Sequence, residues 1–223
     1  MCGQLTENYH IPKTKVRKAY SGVHPHEIIT HKRDFQRDYS AQPVRLLFVG
    51  ALVLEKGVIT LLDTANILCE RRIPFTLRVV GAGQDRGFVT DKLRAIKPRE
   101  KIIFHGSIPH EAVIGYYKDA DIFLYPSREE SFGLVVAEAM ATGLPVISSK
   151  AGAIPEVVED GKTGILVEPE EPGRFADAVE FLISHPDTMR QMGMQGIRRV
   201  NERFTWEKTA ERLEQIYFEC LKQ

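Results

Sequence analysis

Short apolar runs rich in β-branched residues alternate along the chain with longer segments in which apolar residues recur every three or four positions. Short runs bounded by glycine or proline are typical of buried strands, whereas the longer periodic segments are typical of helices that pack on a sheet. The runs predict strands at Val44–Gly50, Phe75–Val80, Lys101–His105, Asp121–Tyr125, Pro145–Ser149 and Gly164–Val167.

The segments between these runs place their apolar residues on one helical face. One such face carries Val58, Leu61, Leu62, Ala65, Leu68 and Cys69, and another carries Phe175, Ala178, Val179 and Leu182. A last helix is predicted to begin near Thr205, which is a suitable N-cap. Its apolar stripe contains Trp206, Ala210, Leu213, Tyr217 and Cys220. The Glu- and Arg-rich helix Met189–Arg203 is predicted to be a solvated face.

Strands that alternate with helices at this spacing indicate βαβ units. The predicted fold class is therefore α/β, with a doubly wound, Rossmann-like parallel sheet over residues 44–223. Residues 1–43 are polar and irregular, which predicts a linker or an N-terminal arm. In such a sheet ligands bind beyond the carboxyl ends of the strands, so the loops that follow strands are the candidates for a site.

The chain has 223 residues, of which 43% are hydrophobic and 27% charged, as is ordinary for a globular domain. Lys+Arg and Asp+Glu both number 30, so no net charge favours nucleic acid or an anionic membrane as a partner. Cys2, Cys69 and Cys220 are far apart and odd in number, which predicts neither a disulfide framework nor a metal site. No apolar run reaches the roughly 20 residues that span a bilayer. The first residues lack the features of a signal peptide, so we expect a cytoplasmic protein.

Glu138 is the one charged residue in the segment SFGLVVAEAMATGLPVISS, which runs from Ser131 to Ser149. The part from Gly133 to Thr142 is predicted to be a helix packed on the sheet, so this carboxylate would be buried. A buried carboxylate without a partner is costly. The partner is either a protein group or a hydroxyl of a ligand, and the residues alone leave both possibilities open.

Glu130 precedes this helix, in the loop that follows the strand ending at Tyr125 and therefore at the ligand-binding edge of the sheet. Gly133 has no Cβ, so the backbone there can approach a ligand closely. The amides of Phe132, Gly133 and Leu134 would be free at the helix N-terminus, where the helix dipole favours phosphate. An anion site between two carboxylates matches the layout of a nucleotide sugar, which carries a hydroxyl-rich sugar, a diphosphate and a ribose diol.

Glu130 and Glu138 resemble the E-x7-E signature of the retaining GT-B glycosyltransferases of group 1 (family four) type. Segments over about residues 44–221 resemble the same family in order and spacing: the loops Gly50–Gly57 and Val80–Gly83, the strand Asp121–Ser127, the G-G-x-P-E-like loop Gly152–Glu156, the turn Asp160–Gly164 and the helix start Phe204–Trp206. The segment Tyr20–Val23 resembles the end of the linker between the two domains of such enzymes.

The resemblance implies that the chain is the C-terminal half of a GT-B fold. Residues 44–223 would form a nucleotide-sugar-binding domain with a closing C-terminal helix, and residues 1–43 an interdomain linker remnant or N-terminal arm. The implied reaction moves a sugar from a nucleoside diphosphate to a hydroxyl acceptor with retention of configuration. It would need no metal and no cofactor besides the donor, and stabilisation of the leaving phosphate would be the main catalytic contribution.

The resemblance also implies roles for single residues. Lys56 would neutralise the diphosphate leaving group and Glu130 would bond hydroxyls of the donor sugar, which makes these two the implied catalytic residues. Glu138 would hold the ribose hydroxyls. Gly50 would let the phosphates lie close to the first loop. Backbone amides of Phe132, Gly133 and Leu134 would contact the sugar or the diphosphate.

Two positions depart from the family pattern. Ala51 stands where the family usually has Arg, so one of two cations that act on the diphosphate is missing, and Arg128 or Lys150 is the candidate to compensate. Ala153 replaces the second glycine of the G-G-x-P-E loop, which predicts a narrower backbone approach.

The acceptor-binding domain of such an enzyme, of roughly 150–200 residues, is not recognisable in this chain. We therefore expect donor binding but little or no transfer by the chain alone. Association with a membrane, if any, would be peripheral and would come through that domain. We also expect self-association if the stripe that begins at Trp206 exposes apolar surface.

Other motifs in the sequence favour other functions only weakly. The segment Gly81–Gly87 imitates a dinucleotide fingerprint, but the acidic residue expected about 20 positions later is missing. Asp119-Ala120-Asp121 is a D-x-D sequence at the start of a strand, away from the ligand edge, which favours a structural role. His24-Pro25-His26 is interpreted as a solvent-exposed loop. His105 and His110 border a carboxyl end, so a contact with a base or a sugar stays open.

Two alternatives to an enzyme donor domain stay open as well. One is a non-catalytic nucleotide-sugar-binding module, which Ala51 makes plausible. The other is an epimerase of the same fold that acts on a nucleotide sugar.

Overall fold

The computed structural model describes residues 10, 12–24, 39, 42–84, 87, 89 and 101–221. These residues form one six-stranded parallel sheet with helices packed on it. The strands are β1 (Val44–Val49), β2 (Phe75–Val80), β3 (Ile102–Gly106), β4 (Ile122–Tyr125), β5 (Val146–Ser149) and β6 (Gly164–Val167). The predicted α/β fold class is confirmed, and the predicted strand ends differ from the observed ones by no more than one residue.

The sheet order is β3-β2-β1-β4-β5-β6, so the direction of winding reverses between β1 and β4. These two central strands are parallel neighbours, with Leu46 opposite Ile122 and Leu47 opposite Phe123. Their side chains are buried on both faces, which explains why the runs are continuously apolar and do not alternate. A reversal of winding leaves a crevice at the carboxyl ends of the two strands, because the following loops leave toward opposite faces.

The described helices of the domain flank this sheet. They are α1 (Val58–Glu70), α2 (His110–Asp119), α3 (Leu134–Ala141), α4 (Ile154–Val157), α5 (Pro172–Ser184), α6 (Pro186–Arg203) and α7 (Trp206–Leu221), with short 3-10 turns at Lys13–Lys15 and Leu54–Lys56. The predicted apolar faces of α1 and α5 are buried, apart from the partly buried Cys69. Helix α2 was not predicted, because it buries only Val113 and Tyr117 and therefore shows little periodicity.

Helix α6 corrects one expectation. It was predicted to be a solvated face, but one side of it buries Met189, Met192 and Val200. Two glycines on that side allow a close approach to α3: a Cβ on Gly196 would lie 3.5 Å from the Met140 Cβ. The charged residues occupy the other side, so a count of Glu and Arg overestimated how much of the helix faces solvent.

The segment before the sheet packs on the start of α7. The Val23 amide donates to the Phe204 carbonyl at 2.8 Å, and a Cβ on Gly22 would lie 2.3 Å from the Trp206 nitrogen. The prediction that Thr205 is the N-cap of α7 is confirmed, because its hydroxyl oxygen accepts a hydrogen bond from the Lys208 amide at 3.2 Å. Much of the segment 1–43 lies outside the described residues. The proposal that it forms a linker or an N-terminal arm stays a prediction.

Helix α7 leaves its apolar stripe open. None of its residues, all of which are described, is buried, and Trp206, Leu213 and Tyr217 are 45%, 40% and 67% exposed. The apolar stripe of α7 is therefore exposed, as predicted, whereas self-association of the chain stays a prediction. Among the described helices, none combines the length and the apolar character needed to cross a membrane.

Candidate active site

Two loops meet at the carboxyl ends of the central strands. The loop after β1 ends at Gly57, whose φ of 70° lies in the left-handed region and whose Cβ would be 1.7 Å from the Pro126 carbonyl oxygen. The Arg128 amide donates to the Glu55 carbonyl at 2.8 Å and ties the loop after β4 to it. Between them lies a cleft of about 500 Å³, lined by Glu55, Lys56, Arg128, Glu129, Glu130, Ser131 and Gly152. Lys56 and Glu130, which are far apart in sequence, thus share one cleft.

The Glu130 carboxylate receives donors on both oxygens. Its Oε2 accepts from the Lys56 ammonium at 2.8 Å and from the Tyr125 hydroxyl at 2.6 Å. Its Oε1 accepts the amides of Ser131 at 3.0 Å and Phe132 at 3.4 Å. Burial alone raises the pKa of Glu130, but the hydrogen bonds from Lys56 and Tyr125 outweigh it and hold this pKa below its ordinary value. Glu130 is therefore an anion fixed in orientation.

The Glu138 carboxylate lies deeper, with Glu138 only 6% exposed on α3. Its Oε2 accepts a hydrogen bond from the Tyr117 hydroxyl at 2.9 Å. Its Oε1 lies 3.9 Å from Nε2 of His110, an exposed residue at the start of α2. Burial raises the pKa of Glu138, and the Tyr117 bond and the His110 charge oppose the shift only in part. Tyr117 is the protein partner that a buried carboxylate requires, and Oε1 faces the open side.

Tyr117 and Tyr125 are site residues that the sequence did not reveal. Tyr117 stands 21 positions before Glu138, on a helix with weak periodicity, and Tyr125 has the pattern of a core strand residue. A buried tyrosine usually has a hydrogen-bond partner for its hydroxyl, and this was the one signal that the sequence offered for these two residues. The rule does not identify the partner.

The N-terminus of α3 lies between the two carboxylates in the sequence, and Glu138 is not among the residues that line the cleft of Lys56 and Glu130. Gly133 caps it with a φ of 93°, and a Cβ there would lie 2.5 Å from Ile154 Cδ1. The first amides of an α-helix have no partner within the helix, and the helix dipole adds partial positive charge. Leu134, the first residue of α3, is exposed. The Phe132 amide is already engaged by Glu130 at 3.4 Å.

The D-x-D motif lies at the opposite edge of the sheet, as predicted. The Arg45 guanidinium binds Asp121 at 2.7 Å and Asp119 at 2.8 Å, and Arg78 also pairs with Asp119. These ion pairs join the amino ends of β1 and β4 and tie Asp119 to Arg78 in the middle of β2. Within the described ranges, no group of three or more His, Cys, Asp or Glu side chains is suited to hold a metal ion.

The described residues of the other motifs contact other parts of the protein. A Cβ on Gly83 would lie 2.3 Å from the Leu52 carbonyl oxygen, so this glycine allows the loops after β1 and β2 to touch. Asp85 and Arg86 of the same motif lie outside the described residues. His105 Nδ1 lies 2.9 Å from the Tyr116 hydroxyl, which occupies one ring nitrogen. His24 is exposed, as predicted, beside the Trp206 ring.

Comparison with known proteins identifies the family. Residues 31–199 match the family described as Glycosyl transferases group 1. The chain belongs to this family. A D-inositol 3-phosphate glycosyltransferase of Corynebacterium diphtheriae is 35% identical over 178 residues, which cover 77% of this chain and 42% of that protein. The chain spans about half the length of the curated relatives it matches.

Two solved structures have a fold similar to that of this chain. The C-terminal domain of a glycosyl transferase group 1 family protein from Francisella tularensis has a TM-score of 0.72 at 26% identity, over 83% of this chain and 100% of that one. An Anabaena protein in complex with UDP and glucose has a TM-score of 0.79 at 21% identity, over 95% of this chain and 58% of that one. The fold therefore agrees with the GT-B type that the sequence predicted.

The family resemblance implies an arginine at the position of Ala51. Of the two candidate replacements, Arg128 lines the cleft that contains Lys56, and its guanidinium lies 3.4 Å from Glu170. Lys150 instead pairs with Glu168 at 3.2 Å in a separate groove between β6 and α5. Arg128 is thus the better placed cation.

The second departure from the group 1 pattern, Ala153, is structurally harmless. Its φ of −90° is accessible to any residue, and its amide donates to the Glu130 carbonyl at 3.1 Å. The preceding Gly152 has a φ of 53°, and a Cβ there would lie 1.8 Å from the same carbonyl oxygen. The glycine that this close approach requires is therefore present.

Proposed function

We propose that this chain is the donor-binding domain of a retaining glycosyltransferase. It would take a sugar from a nucleoside diphosphate sugar for transfer to a hydroxyl acceptor. One observation carries the proposal: Glu130 and Glu138 flank the N-terminus of α3, and Lys56 reaches Glu130 from the facing loop. This arrangement offers acceptors for hydroxyls at two places, with an anion-favouring helix end between them in the sequence and a cation beside Glu130.

Each part of a nucleotide sugar then has a counterpart. Glu130 would accept sugar hydroxyls, the α3 N-terminus with Lys56 would hold the diphosphate, and Glu138 Oε1 would accept the ribose diol. Gly50 would border the phosphates, as the family resemblance implies, and a Cβ there would lie 3.2 Å from the Phe48 ring and 3.6 Å from the Tyr125 ring. The UDP and glucose in the complex of the Anabaena protein, which has a similar fold, are compatible with such a ligand.

The main requirement of the proposed reaction is to stabilise the charge on the departing diphosphate. The bond from the anomeric carbon to the diphosphate oxygen breaks, and its electron pair stays with the diphosphate. The acceptor oxygen bonds to the same carbon and loses its proton. Lys56 and the α3 amides would stabilise the charge that develops on the diphosphate, which is the kind of contribution that preorganised donors make. No metal or further cofactor is part of the proposal.

The acceptor-binding part is proposed to lie in a separate partner domain. The curated relatives are about twice as long as the matched region, and the exposed stripe of α7 is suited to contact such a domain. The chain alone would then bind the donor and transfer little or none of its sugar.

Titration calorimetry with UDP-, GDP- and ADP-sugars and with the matching diphosphates tests the proposal. We expect one nucleotide series to bind, and Glu138→Ala to weaken that binding by about tenfold, because a charged acceptor is lost. The absence of binding at millimolar concentration in all three series would refute the proposal.

A non-catalytic nucleotide-sugar-binding module is the second candidate, and Ala51 is the observation that favours it. Both candidates predict donor binding. They differ when an acceptor domain is supplied on the same chain: a donor domain then transfers the sugar, whereas a binding module still does not.

A further inference from the structure

Each carboxylate of the pair is held by the hydroxyl of a different buried tyrosine. Tyr125, at the end of β4, donates to Glu130 Oε2 at 2.6 Å, and Tyr117, on α2, donates to Glu138 Oε2 at 2.9 Å. Tyr125 is 2% exposed and Tyr117 is 1% exposed. Both tyrosines lie outside the E-x7-E segment itself, although Tyr125 belongs to the preceding strand that also resembles the family, and they belong to different elements.

The two rings are fixed through one shared neighbour. Phe123 stacks on Tyr125 at a centroid distance of 5.9 Å and meets Tyr117 edge-on at 5.7 Å. Phe48 also stacks on Tyr125, at a centroid distance of 6.0 Å. Packed aromatic rings have few available rotamers, so the two hydroxyls are presented at fixed points of the core.

A fixed hydroxyl determines which carboxylate oxygen remains for a ligand. In Glu138, Tyr117 occupies Oε2, so Oε1 is left on the side of His110, whose side chain is 64% exposed. In Glu130, Tyr125 shares Oε2 with Lys56. If the Lys56 ammonium turns toward a diphosphate, Tyr125 still anchors the carboxylate.

We propose that Tyr125 and Tyr117 are separate positioning residues, Tyr125 for recognition of the sugar through Glu130 and Tyr117 for recognition of the ribose through Glu138. This inference rests on the proposed function, since it assigns a subsite to each carboxylate. It adds that the two recognition steps depend on different hydroxyls and can be lost one at a time.

Replacement by phenylalanine tests the inference, because it keeps the ring packing and removes only the hydroxyl. The ligands are UDP and UDP-glucose, or the pair of another base if the nucleotide screen selects it. We expect Tyr117→Phe to weaken both ligands by the same factor of about 3–10. We expect Tyr125→Phe to weaken UDP-glucose by about 3–10-fold and to leave UDP within about twofold.

Three controls separate positioning from general damage. Thr64→Val removes another buried hydroxyl, which donates to the Thr60 carbonyl within α1 at 2.7 Å, and should change neither affinity. Tyr117→Phe should have less than about a twofold further effect in a Glu138→Ala background. Tyr125→Phe should behave likewise in a Glu130→Ala background. Thermal unfolding selects the variants that fold, and either tyrosine variant is sufficient because each has its own expected pattern.

The possible outcomes distinguish failure of the tyrosine positioning roles from failure of the proposed function. If wild type binds but Tyr125→Phe weakens UDP as much as UDP-glucose, or Tyr117→Phe weakens only one of the two ligands, or either variant leaves both affinities unchanged, the inference is overturned and the proposed function stands. If wild type binds no nucleotide at all, the proposed function fails and the inference fails with it.

Discussion

The Lys56 ammonium lies 2.8 Å from Oε2 of Glu130, so the cation proposed for the diphosphate and the carboxylate proposed for the sugar form an ion pair. Tyr125 and two amides complete the set of donors on this carboxylate. A carboxylate offers about four acceptor positions, so a sugar hydroxyl must exchange with one of these donors. Lys56 is the donor best able to move, because its ammonium is carried on a flexible four-carbon stem.

Removing the charge of Glu130 should therefore release Lys56. We expect Glu130→Gln to bind the bare nucleoside diphosphate about 3–10-fold more tightly than wild type, because the cation no longer has a competing anion. The same variant should lose most of its preference for the nucleotide sugar over the diphosphate. Calorimetry with both ligands measures this. In a Lys56→Met background the gain should vanish, and a gain that persisted there would show that Lys56 is not its source.

Glu138 should make the protein less stable as the pH rises. Its pKa is raised in the folded protein above the ordinary 4.5, so between these two values the folded state binds more protons than the unfolded state. Stability is therefore lost as the pH rises from about 4.5 through the raised pKa of Glu138. We expect Glu138→Gln to remove this loss, as measured by urea unfolding at intervals from about pH 4 to pH 8. An unchanged pH profile would contradict the assignment.

Glu130 should act in the opposite direction. Its pKa is lowered in the folded protein, so its contribution to stability is present above its unfolded value and is lost as the pH falls through the folded pKa. The same unfolding series on Glu130→Gln should show a smaller loss of stability in acid than wild type. The two single variants thus serve as controls for each other.

Arg128 should contribute to diphosphate binding and Lys150 should not. Arg128 lines the cleft with Lys56, whereas Lys150 pairs with Glu168 in another groove. We expect Arg128→Ala to weaken nucleoside diphosphate binding by about 3–10-fold and Lys150→Ala to change it by less than about twofold. Comparable losses in the two variants would indicate a general effect of charge. Restoring the family residue with Ala51→Arg should tighten binding.

Gly57 should be required for stability. An alanine there would adopt a left-handed φ of 70° and place its Cβ 1.7 Å from the Pro126 carbonyl oxygen. The backbone conformation alone costs about 1–3 kcal/mol, and the clash adds to it. Gly115 in α2 is the matched control: a Cβ there meets nothing within 4 Å, so Gly115→Ala should stabilise by about 0.5–1 kcal/mol. Chemical unfolding of both variants compares them, and similar effects would contradict the close contact of the two loops.

The exposed stripe of α7 should promote self-association. Trp206, Leu213 and Tyr217 are all exposed on this helix, and contiguous apolar surface of this kind favours contacts between molecules. We expect sedimentation at increasing concentration to show association that Leu213→Glu reduces. Glu214→Gln, a charge change at the neighbouring position, should not reduce it. A monomer at all concentrations would refute this prediction.

The sequence by itself determined the strands, several of the helices and the local part of the site. Buried strands in a parallel sheet are continuous apolar runs, so their positions and the fold class followed from periodicity alone. Glu130, Gly133 and Glu138 lie within one loop and the helix that follows it, so their arrangement depends mostly on local backbone geometry. The position of this loop at a carboxyl end followed from the alternation of strands and helices.

The tertiary structure decided every relationship between distant residues. Lys56 meets Glu130 across 74 positions and Tyr117 meets Glu138 across 21, because the crossovers and the register of β1 and β4 bring separate elements to one edge. The structure also favoured Arg128 over Lys150 and showed that α6 is half buried. Periodicity specifies which face of an element is buried but not what lies against it, and the pairing of donors with the two carboxylates is a property of that packing.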